Sequence, residues 1–182
     1  MTTEIISPFE VLGTPIAPGV GAIVLSQGYF LQLTNLKNVP VTIDLEFAST
    51  PAFVKSVGSG AGEVVLAADI IKGNGVPPTL PVIGATVAAF LTAPIGFKAQ
   101  TIPAHTTWLF GVQYIFPSTA AAPTSTAEAR GVVTLKAPVG SHFLALATTR
   151  QAFFNYSAAG TLLDVAESAY SIPLVRGPEI KS

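Results

Sequence analysis

The stretch Tyr29–Phe47, YFLQLTNLKNVPVTIDLEF, decides the fold class. In its second half Val41, Ile43, Leu45 and Phe47 alternate with Thr42, Asp44 and Glu46. A period of two puts every other side chain on one face, so this half reads as a strand with one buried side. Leu31 and Leu33 repeat the pattern against Gln32 and Thr34, and Asn35 to Pro40 carry turn chemistry. The stretch therefore reads as an antiparallel hairpin.

Working outward, Thr107–Phe116, TWLFGVQYIF, has the β-branched and aromatic content of a mostly buried strand. Pro103 before it cannot donate to a ladder and suits a strand start or an edge. Shorter strands are expected at Ala22–Leu25, Glu63–Ala67, Val87–Leu91, Phe97–Ile102, Gly131–Ala137 and Phe143–Thr149. Short strands separated by Gly, Pro and Asn clusters read as one antiparallel β-sandwich domain spanning residues 1–182. Two segments break the rhythm: Thr119–Thr126, TAAAPTST, reads as a loop, and Thr161–Tyr170 reads as at most one short C-terminal helix, with an irregular strand before Pro173 as the alternative. In the latter, Leu162, Leu163, Val165, Ala166, Ala169 and Tyr170 fall at helical spacing, and Thr161 with Asp164 is placed like a capping box.

QLTNLKNVPVTIDLEF (Gln32–Phe47) followed by TIPAHTTWLFGVQ (Thr101–Gln113) resembles immunoglobulin-like and related Greek-key modules of bacterial and phage proteins. In those, an apolar strand, an Asn-containing turn and an alternating strand precede an I-P-A-x-x-T approach to another strand. The resemblance implies an antiparallel Greek-key sandwich, immunoglobulin-like or jelly-roll-like. The cysteine pair of antibody-type domains is missing, and a fold of this kind does not by itself imply a function.

Composition bears on function directly. Charged residues are 10% of the 182-residue chain, against about 25% in typical domains, and the net charge is −1. Mean hydropathy is +0.58. Uncharged surface with little electrostatic repulsion favours association. The nine Lys and Arg are scattered singly, which is not the footprint of a nucleic-acid binder. There is no cysteine, so disulfides, thiolate nucleophiles and zinc-thiolate sites are excluded. No basic segment followed by an apolar core opens the chain, which fits cytoplasmic synthesis or a signal already removed. The compartment stays open, and assembly into a particle or an extracellular structure is compatible with it.

Catalytic groups are few. His105 reads as a solvent-facing loop residue and His142 as the start of a strand; a metal shared with Glu128 or Asp44 lacks the spacing of any HxH or HExxH motif. Ser59 in GSGAG sits in no complete GxSxG, and its context reads as a glycine-rich turn. Asp44 with Glu46 reads as the wet face of a strand, and Asp164 with Glu167 as the wet face of a helix. No catalytic, cofactor or metal residue is assigned, and the chain is expected not to be an enzyme. Asn155-Tyr156-Ser157 matches a glycosylation acceptor, a pattern common by chance.

The stretch Gly73–Phe97, GNGVPPTLPVIGATVAAFLTAPIGF, is uncharged throughout. Its prolines leave only Val82–Ala93 uninterrupted, about 18 Å as helix against roughly 30 Å of hydrocarbon, so it is expected not to span a membrane. It reads instead as a strand beside a proline-rich loop, Gly75–Ile83, that meets a neighbouring subunit. Val76, Leu80, Val82, Ile83 and Phe90 are the candidate interface residues. The expected function is a self-associating structural or assembly subunit, in a shell, sheath, filament or decoration layer, whose partner is itself or another structural protein. The alternative is an adhesion or ligand-binding sandwich in which Phe153, Phe154 and Tyr156 stack on a glycan or meet a protein.

Overall fold

The computed structural model describes residues 1–17, 23–50, 55–56, 65–72, 94–115, 126–157 and 161–181. Among these, every regular element is a strand: β1 (Thr2–Ala17), β2 (Ile23–Asn35), β3 (Val41–Ser49), β4 (Lys55–Ser56), β5 (Val65–Lys72), β6 (Ile95–Ile102), β7 (Thr107–Ile115), β8 (Ala127–Ala137), β9 (His142–Tyr156), β10 (Leu162–Ile172) and β11 (Glu179–Lys181). All pairings are antiparallel.

The strands form two layers. One runs β5-β7-β2-β9-β10, with β11 continuing the β10 edge of β9; the other runs β6-β3-β8-β1, with β4 on β8. Hydrogen bonding is continuous because β1 belongs to both. Its residues Thr2–Gly13 pair with β8, and Leu12–Ala17 pair with Ile23–Gln27 of β2. β7 takes over the same edge of β2 at Gly28. The handover leaves no room for a side chain: a Cβ on Gly28 would lie 2.5 Å from Gln113 Cβ. The nested pairing of β1 with β8, β2 with β7 and β3 with β6 is that of a rolled-up antiparallel ribbon, a jelly roll. The C-terminal strands β9, β10 and β11 extend it beyond β2.

The core is aromatic and lies between the layers. Tyr29 and Phe110 from one layer meet Phe9, Phe47 and Phe97 from the other, with ring centroids 5.8 Å apart for Tyr29–Phe47 and 5.5 Å for Phe97–Phe110. Edge-on and tilted pairs of this kind add to the stabilisation that burial gives. Tyr29 is fully buried, and its hydroxyl shares a 2.6 Å hydrogen bond with that of Ser7, itself buried. Burial pushes the Tyr29 phenol well above its ordinary pKa, and the Ser7 hydrogen bond offsets part of that rise.

Two expectations are corrected here. Tyr29–Phe47 is not a hairpin: β2 and β3 do not pair, and they lie in opposite layers with their apolar faces towards each other. Alternation specifies which side chains are buried, and it is the same for strands side by side and strands facing across a core. What selects the crossing is Asn35, which is fully buried. Its side-chain nitrogen donates to the carbonyls of Val39 (2.8 Å), Ile102 (3.1 Å) and Pro103 (3.1 Å), and its Oδ1 accepts from Lys37 N–H (2.9 Å). One side chain thus ties the β2–β3 connection to the β6–β7 connection.

The second correction concerns Thr161–Tyr170, which is no helix. Leu162–Ile172 is β10, paired along its length with β9. The strand expected at Ala22–Leu25 falls on β2 from Ile23 onward, with Ala22 outside the described residues; those at Phe97–Ile102, Gly131–Ala137 and Phe143–Thr149 are parts of β6, β8 and β9, and β1 is a strand the sequence does not signal. The strand expected at Val87–Leu91 and the turn around Ser59 lie outside the described residues, as does all of the loop Thr119–Thr126 except Thr126.

Candidate functional site

The candidate site is the outer end of the layer extended by β9 and β10. β10 pairs with β9 on one side from Leu162 to Ile172, and among the described residues no strand pairs with its other side. Every described side chain from Leu163 to Ser171 is exposed, including Leu163 (63%), Val165 (39%) and Tyr170 (49%). Exposure at consecutive positions means that both faces of the strand are open, which alternation on a core-packed strand never gives. After a one-residue bulge at Leu163 the ladder is regular from Asp164 to Ile172, with no Pro, Lys or further bulge to blunt the edge.

Beneath this end lies an open groove of about 510 Å³ where β1 passes between the layers, lined among others by Phe9, Glu10, Gln27, Arg130, Thr149 and Tyr170. A polar chain crosses it from strand to strand. Gln151 Nε2 donates to Gln27 Oε1 (2.7 Å), Gln27 Nε2 donates to Glu10 Oε2 (2.9 Å), and Arg130 Nε bonds Glu10 Oε1 (2.7 Å) and also the Glu128 carboxylate. Register explains the chain, because Gln151 stands opposite Gln27 and Arg130 opposite Glu10. Of these residues only Glu128 stands out in the sequence, and there as a metal ligand without the required spacing. Phe9, Val11 and Gly13 do alternate with Glu10, Leu12 and Thr14, but Pro8 and Pro15 interrupt the signal on either side. Pro8 is tolerated because that part of β1 pairs only with β8.

The other candidates fall as follows. Val76, Leu80, Val82, Ile83 and Phe90 lie outside the described residues. Phe153 and Phe154, adjacent on β9, are half-buried and alternate to opposite faces, while Tyr156 is buried at 5% exposure. Burial raises the Tyr156 phenol above its ordinary pKa. Asn155 is exposed at its side chain, but its backbone pairs with Ile23 on one side and Asp164 on the other. His105 Nε2 lies 2.9 Å from Asn38 Oδ1 on the surface, whereas His142 Nε2 lies 3.7 Å from Glu179, so the histidines have separate neighbours. Among the described residues no group of three or more His, Asp or Glu is placed to hold a metal.

Asp44 and Glu46 are structural. Opposite Asp44 the β6 strand carries an extra residue, and Ala99 there takes φ +52°, a left-handed conformation stabilised by its N–H donating to Asp44 Oδ1 (2.8 Å). Glu46 bonds Lys98 and also Lys136 (3.1 Å), and these partners, Lys98 foremost, hold its carboxyl below the usual range. Asp164 and Glu167 share no face: three residues apart on a strand, they point to opposite sides.

Among the described residues no helix is long and apolar enough to cross a membrane. In comparisons with known proteins the chain matches no family model and no curated protein.

Proposed function

We propose that this chain is a non-enzymatic structural subunit that self-associates, as in a shell, sheath, filament or decoration layer. The observation that carries the reading is β10, a long regular strand with both faces exposed and an edge that no strand among the described residues pairs. An unpaired edge presents a row of N–H and C=O groups, and a strand from another chain is its natural complement. The low charge and net charge of −1 support the same reading, since little repulsion opposes contact between copies. Antiparallel sandwiches serve many functions, so the fold alone does not carry the reading. Light scattering coupled to size-exclusion chromatography tests the proposal: a mass above that of one chain at micromolar concentration is expected, and a uniform monomer overturns it.

The groove favours a second reading, a ligand-binding module. Glu10, Arg130 and Gln27 supply acceptors and donors beside the half-exposed Tyr170 ring, the combination that suits a hydroxyl-rich ligand such as a glycan. A glycan array with the wild type and Tyr170→Ala is the test. Binding lost in the variant supports this reading, and no binding by the wild type removes it.

A further inference from the structure

We infer that two copies of this chain join edge to edge through β10, antiparallel, about a two-fold axis at Ser168. The inference rests on the proposed self-association and specifies its partner, a second copy, and its register.

Two identical edges can complete each other by a two-fold rotation, because antiparallel pairing is its own mirror in hydrogen-bond pattern. Residues opposite each other must face the same side of the sheet, so an axis normal to the sheet passes through a residue and not between two. Asp164 to Ile172 is the regular part of β10. Only an axis at its midpoint, Ser168, pairs all of it with itself.

That register also satisfies the side chains. Ser168 stands opposite Ser168 of the partner copy, where two hydroxyls can share a hydrogen bond, and Ala166 stands opposite Tyr170. Glu167 faces Ala169 and Asp164 faces Ile172, so no carboxylate opposes another. An axis at Glu167 or Asp164 would set like charges directly across from each other, which is unfavourable. The approach is open, since the side chains from Leu163 to Ser171 are exposed on both faces. The product is one sheet running unbroken through both copies, from β7-β2-β9-β10 of one into β10-β9-β2-β7 of the other.

The chain has no cysteine, so single-cysteine variants report the register cleanly. At an axis on Ser168, Ser168→Cys places two thiols across one strand gap, within the roughly 7 Å Cα separation that a disulfide spans. Ala166→Cys places its thiols four residues apart along the strands, about 13 Å, beyond reach. Under mild oxidation Ser168→Cys is expected to run as a covalent dimer on a non-reducing gel, and Ala166→Cys as a single chain. The light-scattering mass of each variant is measured alongside. A multimeric mass with no Ser168→Cys cross-link, or preferential cross-linking of Ala166→Cys, overturns this contact while leaving self-association standing. A monomeric wild type overturns both. As a second variant, Ser168→Lys on the exposed edge keeps the fold and sets two lysines directly opposite each other at the axis, so association is expected to weaken several-fold; unchanged association also overturns the contact.

Discussion

Asn35 shows how much of the architecture hangs on one side chain. Fully buried, it donates to the carbonyls of Val39, Ile102 and Pro103, so its removal strips each of them of a donor, and Pro103 retains a further one in the Thr106 N–H. Asn35→Ala is expected to cost about 3 kcal/mol, measured by urea unfolding, because buried unsatisfied groups forfeit their full desolvation energy. The residue was visible in the sequence as part of a turn, but nothing local distinguishes a turn that closes a hairpin from one that crosses a core. Glu46 gives a milder, pH-dependent case. Its carboxyl titrates below the ordinary value of 4.5 because Lys98 and Lys136 bond its charged form. A lowered folded pKa means that the contribution is complete above about pH 4.5 and is lost as pH falls through the folded value. Lys98 is largely exposed, so solvent screening keeps the network near 0.5–1 kcal/mol. Glu46→Gln should therefore lower stability by about that amount at pH 7, with the difference from wild type vanishing in acid; an equal difference at both pH values contradicts the assignment.

At the scale of elements, legibility followed burial. β3 and β7 were readable because one or both faces pack on the core, and that is what imposes alternation or an apolar run. β10 was misread as a helix for the opposite reason. With both faces in solvent it has no buried face to impose a period of two, and Leu162, Val165, Ala166 and Ala169 fell by composition at helical spacing. The missing signal thus matches the exposure of every described side chain from Leu163 to Ser171. Charge on this element sets its salt response. In the Ser168-centred register Glu167 of the two copies are diagonal neighbours, roughly 7–8 Å apart, close enough to repel. Glu167→Gln should tighten association several-fold at low salt, measured by analytical ultracentrifugation, and added salt should narrow the gap because it screens that repulsion. A difference independent of salt would place Glu167 away from the contact.

For the whole molecule, an aromatic core between two layers accounts for the buried apolar residues of β1, β2, β3, β6 and β7. It leaves Leu163, Val165 and Tyr170 outside, on a strand whose outer edge no other described strand pairs. The class of the fold was legible because alternation and turn chemistry recur along the sequence. Its topology was not, because the partner of each strand is chosen by register and by a few buried polar anchors such as Asn35. The groove at Glu10 and Arg130 was equally hidden, as it arises only where β1 changes layers. The central claim is that this surface is completed by another copy, and mass in solution tests it most directly. Light scattering at micromolar concentration should give at least twice the 18.7 kDa chain mass for the wild type, and a fall towards 18.7 kDa for Ser168→Lys with its far-ultraviolet circular dichroism unchanged. A wild-type mass of 18.7 kDa, independent of concentration, would contradict the account.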